Sequence, residues 1–134
     1  MTSLGSKLHD AVYDRLATVI SGVPVYYRGQ QAETPEYVLF LDDDERYSPE
    51  WSDKDGRGND YSIVLQLWGN KPRTLAERAK SIIDSLYATA ISIAGFDFLR
   101  VVLEQNQSQP SFRPEGQTNQ YSRILRMRFF YHPT

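Results

Sequence analysis

The residues of this chain whose types and spacing could do chemistry are carboxylates, and they fall in two groups. Asp42-Asp43-Asp44-Glu45 is the first; the second is Asp53-Lys54-Asp55-Gly56-Arg57-Gly58-Asn59-Asp60. The chemistry they suggest is metal binding, either of calcium or of the divalent ions that serve hydrolases and nucleases. Taken as a calcium loop starting at Asp53, the second group has Asp55 at its third position and Gly58 at its sixth, as such loops require. Its fifth position is Arg57 and its twelfth Val64, so a guanidinium stands among the ligands and the closing bidentate carboxylate is missing. Consecutive residues on an extended chain alternate faces, so Asp42 to Glu45 cannot all converge on one ion. The plainer reading is a solvated strand end leading into a polar arm.

Other chemistry finds less support. The chain has no cysteine, which removes disulfides, thiolate zinc sites and a cysteine nucleophile. Its two histidines, His9 and His132, do not stand in a metal-ligand spacing; the first is expected on a helix surface and the second in a frayed C-terminus. No G-x-S-x-G elbow or P-loop is present, and Gly56-x-Gly58 precedes a strand rather than a helix that could cradle phosphate. Arg126 and Arg128 lie one strand step apart on one face, with Arg123 expected on the other. With a net charge of −2, these arginines read as solvent or subunit contacts rather than a phosphate-neutralising stripe. Trp51, in a polar segment, suggests a contact surface, whereas Trp68 ends a strand and is expected to pack.

The elements that would position these residues follow from periodicity. The chain of 134 residues suits one domain with a modest core, and its 9 tyrosines and 6 phenylalanines suit half-buried sheet faces. Charges at Lys7, Asp10, Asp14 and Arg15 argue against a signal peptide or membrane span near the N-terminus. Leu4, Leu8, Val12, Leu16 and Val19/Ile20 recur at helical spacing and are ended by Ser21-Gly22. Short strands are expected at Pro24 to Tyr27 and Tyr37 to Leu41, then a clearer one at Tyr61 to Trp68 with Ile63, Leu65 and Leu67 facing one way. Thr74-Leu75-Ala76-Glu77 reads as a capping box opening a second helix, with Leu75, Ala79, Ile82, Ile83, Leu86 and Ala90 as its buried stripe. Gly95 ends that region. Phe96 to Glu104 and Tyr121 to Tyr131 are the last strands, separated by a turn-rich loop at Pro110 to Gly116. The order is α-β-β-β-α-β-β: an α+β domain spanning residues 1–134, two helices on one face of a largely antiparallel sheet, with a long hairpin arm over about 42–60.

Helix, Val25-Tyr26, "PEYVLFL", a tryptophan with "Trp-Ser-x-Lys" at Trp51 to Lys54, "YSIVLQLWG", the second helix, "IAGFDFLRV", an Arg-Pro-Glu-Gly turn and an arginine-rich closing strand follow one another from about Leu4 to Tyr131. This series resembles the tail completion family of long-tailed bacteriophages, the tail-terminator or tail-to-head joining proteins, of which prophages and gene transfer agents encode relatives. The sequence departs from the family at Glu36, which stands between Pro35 and Tyr37. The resemblance implies a non-enzymatic virion protein without cofactor or metal. It implies a hexameric ring, formed on the tail or at high concentration, that caps the tail tube and joins tail to head. Partners would be further copies of the chain, the tail tube protein and a head-completion or connector protein. DNA would pass through the lumen without specific binding, and no membrane would be involved. Assembly would occur in the host cytoplasm and the product would sit at the head-proximal end of the tail. Trp51, Lys54, Arg57, Arg126 and Arg128 are the expected interface residues. The competing readings are a small metal-dependent hydrolase or nuclease using Asp42–Asp44 with Asp53, Asp55 and Asp60, and a small-molecule or peptide-binding α+β domain.

Overall fold

The computed structural model describes residues 4–27, 34–41, 44–47, 59–110 and 120–134; of residues 44–47 and Asn59 it describes the backbone only. Helix α1 (Leu4–Val19) forms where the apolar spacing required it: Leu4, Leu8, Val12 and Leu16 are buried along one stripe. Past its end Gly22 takes φ +87°, a left-handed conformation that any Cβ would strain, and the chain turns into β1 (Val25–Tyr27). Strand β2 (Tyr37–Phe40) follows, then β3 (Asp44–Tyr47) and β4 (Asn59–Gly69). Helix α2 (Pro72–Ala88) leads to β5 (Phe96–Ser108) and β6 (Tyr121–Pro133).

The six strands form one sheet in the order β1-β2-β4-β6-β5, with β3 also on β4. All pairings are antiparallel except β1 with β2, which run parallel. The α+β class and helix–strand order stand, with β3 added as a short strand inside the stretch expected as an arm. Both helices bury their stripes against one face. On it Val38 and Phe40 of β2, Ile63, Leu65 and Leu67 of β4, Val101 of β5 and Leu125, Met127, Phe129 and Tyr131 of β6 form a single core with α1 and α2.

Four local expectations change. Helix α2 opens at Pro72, not with a capping box: Lys71 is the N-cap with extended backbone and no side-chain cap bond. Proline suits the first helical position because the amide it lacks would have had no helical partner. Thr74 therefore lies inside the first turn, and Glu77 pairs with Arg73 at 3.3 Å instead of reaching back. Ala90 falls beyond the helix and is exposed, leaving Leu75, Ala79, Ile82 and Leu86 as the buried stripe. His9 is not a bare surface residue: its ring lies 4.9 Å from Phe40 and 5.9 Å from Tyr27, because α1 crosses the aromatic end of β1 and β2. His132 belongs to β6 opposite Asp97 rather than to a frayed tail.

Glu36, the departure from the family pattern, ties β2 to α2. Its Oε1 accepts from Arg78 Nη1 at 3.3 Å, and that pair closes over Gly69, where a Cβ would meet Leu75 at 3.0 Å. Arg15 joins the two helices. Its Nη1 donates to the carbonyls of Ser85 (3.1 Å) and Thr89 (2.9 Å), placing a cation at the carbonyl end of α2, where the helix dipole favours positive charge.

Candidate assembly surface

Among the described residues the second face of the sheet carries no helix, and the hairpin of β3 with β4 extends from the end of the central strand. Register makes that hairpin an extension of the β2–β4 pair: Phe40 faces Leu65 and Asp44 faces Ser62, so β3 continues β2 along the same side of β4. The hairpin's described part ends at the Tyr47–Asn59 pair. Trp51, Lys54 and Arg57, and the carboxylates of Asp42, Asp43, Asp53 and Asp55, lie outside the described residues. Arg126 and Arg128 are described, side by side on the helix-free face of β6, opposite Val64 and Ser62 of β4.

Arg128 is already engaged. Its Nη1 donates to Asp60 Oδ2 at 2.6 Å and its Nε to Glu104 Oε2 at 2.9 Å, with the guanidinium side chain only 14% exposed. Ser62 Oγ reaches the other Glu104 oxygen at 3.5 Å. Burial works against the arginine's charge; hydrogen bonds to Glu104 and Asp60 more than offset it, so the proton is held more firmly than in a free arginine. Asp60 is 4% exposed, and its second carboxylate oxygen is buried with no hydrogen-bond partner. This cluster bolts together the middle strand, its β6 neighbour and the edge strand β5 at the root of the hairpin. A buried carboxylate loses much of its solvation, so the guanidinium must compensate it.

The same arrangement bears on the hydrolase reading. Asp60, the one member of the proposed acidic set whose side chain is described, points into the sheet and is neutralised by Arg128. Among the described residues, no group of three His, Cys, Asp or Glu side chains is placed to hold a metal ion. A small-molecule site fares no better at the hollow of about 370 Å³ between α1 and the segment after α2, because its lining arginine, Arg15, is bound to α2 carbonyls.

Further along the helix-free face, Gln66 Nε2 (2.9 Å) and Ser122 Oγ (2.6 Å) both donate to Gln109 Oε1. Beyond them Trp68 stacks on Tyr37, with ring centroids 6.1 Å apart, and Tyr26 meets Tyr37 edge-on at 5.8 Å. Trp68 thus packs as expected. Periodicity did not single out Asp60, Glu104 or Gln109, since their partners lie 13 to 68 residues away in the chain. The available signal was Asp60 standing among alternating strand positions with arginines on the strand that would pair with it.

With this geometry the chain matches solved structures along nearly its whole length. It is similar to a chain in the virion of a native gene transfer agent particle, with a TM-score of 0.68 and 17% identity over 94% of this chain and 96% of that one. It is also similar to the bacteriophage SPP1 gp17 protein, with a TM-score of 0.50 and 15% identity over 96% and 95%. This is a fold that phage and phage-like particles use. No protein-family model and no curated protein matches the chain. The structural likeness supports the resemblance at the level of the fold. At these identities it is a likeness of fold, and the roles of individual residues rest on this chain's own geometry. Among the described residues no helix is long and apolar enough to cross a membrane.

Proposed function

We propose that this chain is a structural virion protein of the tail completion kind, one that forms a six-membered ring, caps the tail tube and joins tail to head. The observation that carries the reading is the match in fold to a gene transfer agent virion chain over 94% of this chain and 96% of that one. The helix-free face and its hairpin supply the physical means. A heterologous contact repeated by rotation closes into a ring, and an arm enlarges the area that a small subunit can bury. Trp51, Lys54 and Arg57 on the arm are the proposed contact residues, with Arg126 beside its root. Arg128 contributes by holding β4, β5 and β6 in the register from which the hairpin projects. The ring's partners are the tail tube protein on one side and a head-completion or connector protein on the other. DNA passes through without specific binding, and the site is the head-proximal end of the virion tail, assembled in the host cytoplasm. No catalytic step or cofactor belongs to this reading.

Electron microscopy of tail tubes mixed with the protein tests it. A closed ring of six 15.4 kDa chains, about 92 kDa, is expected at tube ends. Trp51→Ala is expected to fold normally and to occupy fewer tube ends, because a buried aromatic often dominates such contacts. Bare ends with the wild-type protein overturn the assembly reading; equal occupancy by the variant overturns only the assignment of Trp51.

A further inference from the structure

Among the described residues, strand β5 is one of the two edges of the sheet, and its length makes it hazardous. It runs 13 residues, against a common strand length of about 5–6. Among the described residues its only strand partner is β6. Such an edge offers amides and carbonyls that an identical edge can pair with. Two register shifts, between Phe98 and Arg100 and between Leu103 and Gln105, interrupt β5 and leave Arg100 to Leu103 as a regular stretch between them. That stretch is also apolar at its centre: Val102 is 37% exposed, and Leu99 beside it is 50% exposed. If Val102 is set opposite its own counterpart in an antiparallel copy, Arg100 of one chain faces Glu104 of the other. No like charges oppose each other in that register. Of the surfaces described, this is the segment most able to pair with a second copy of the chain.

One contact stands in the way. The amide of Leu103 donates to the Tyr87 hydroxyl at 2.8 Å, from a tyrosine at the end of α2 that is itself 52% exposed. A half-exposed tyrosine has little to gain from burial here; its hydroxyl instead occupies a backbone donor within the unguarded stretch.

We infer that Tyr87 is a guard, occupying the Leu103 amide so that the β5 edge of one copy cannot pair with the β5 edge of another. The device is separate from ring formation through the arm. It would suit any chain that must stay dispersed at high concentration before it meets its proper partner.

Tyr87→Phe removes the hydroxyl and keeps the ring, and at a half-exposed position it leaves the fold intact, which thermal unfolding verifies. Val102→Lys, added to it, puts a charge at the centre of the proposed pairing. Sedimentation over a concentration series and amide exchange of β5 are compared for wild type, Tyr87→Phe and the double variant. Exchange reads the β5 edge itself and is indifferent to a ring formed elsewhere. The expected result is self-association of Tyr87→Phe about fivefold tighter than wild type, the scale of one net hydrogen bond, with concentration-dependent protection of amides 99–104. The double variant should lose both. Association and exchange unchanged by Tyr87→Phe overturn the inference, as does association that survives undiminished in the double variant.

Discussion

Two stretches of β4, one on each face of the sheet, are buried to similar depth by different physics. On the helix side of β4, Ile63, Leu65 and Leu67 are almost fully buried, and their neighbours are leucines, isoleucines and aromatic rings. On the helix-free side of the same strand Asp60 and Ser62 are buried as deeply, at 4% and 0% exposure, yet what surrounds them is a guanidinium and a second carboxylate. Burial on the first side is stabilising in proportion to apolar area and asks little of direction. On the second it costs solvation that only well-placed partners return. The helix-free side therefore specifies register. Arg128 can meet both Asp60 and Glu104 only when β4, β5 and β6 are aligned as they are.

This contrast can be broken from either side. The largest effect is expected from Leu65→Ala, which removes side-chain volume from the helix-covered core and should lower unfolding free energy by about 3–4 kcal/mol. Denaturant titration measures it, and no second substitution on the helix-free face should recover it. Arg128→Met comes next. It leaves the Asp60 carboxylate buried without its cation and should cost about 2–3 kcal/mol, somewhat under the figure for a fully enclosed pair because the guanidinium is 14% exposed. Here a second change should help: Asp60→Leu combined with Arg128→Met removes the stranded charge and is expected to recover most of the loss. If the double variant is as unstable as the sum of its parts, the cluster is not the coupled unit described.

The smallest effect concerns Tyr131, on the helix side, whose hydroxyl donates to the Ile91 carbonyl at 2.7 Å. Burial pushes its ionisation well above the ordinary 10.0, with Arg15 opposing. A group whose proton is held more tightly in the folded state contributes stability that is complete below its unfolded value and is lost as pH rises beyond it. The protein should therefore lose stability above about pH 10. Tyr131→Phe should cost about 1 kcal/mol at neutral pH and then lose less than wild type as the pH climbs. Unfolding curves at pH 7 and above pH 10 test this, and a gap that widens with pH contradicts it. Tyr27 and Tyr37, also raised chiefly by burial, keep part of the alkaline sensitivity in both proteins.

Much of this architecture is legible in local pattern. The leucines of α1 at helical spacing, the alternation of β4 and β6 and the glycine after α1 each report a burial sense or a turn that neighbouring residues alone decide. The start of α2 is where local pattern misleads. Thr74 to Glu77 has the spacing of a capping box, but Pro72 two residues earlier already satisfies the first position, so the box residues fall inside the turn. Of the expected contact residues, Arg126 and Arg128 were legible as sharing a face. That Arg128 is engaged within the chain was not, because Asp60 lies 68 residues away.

By itself the sequence determined which residues seek burial, which segments can be helix or strand, and that no thiol chemistry is open to this protein. Those properties depend on side-chain type and short-range spacing. Only the tertiary structure decided that β1 runs parallel to β2, that Arg15 closes the end of α2, that Tyr87 takes an amide from the edge strand, and that one arginine holds three strands through two carboxylates. Each of these depends on sheet order and register, which bring together groups far apart in the chain. Alternation along a strand says which face a residue takes and leaves open which strand lies beside it.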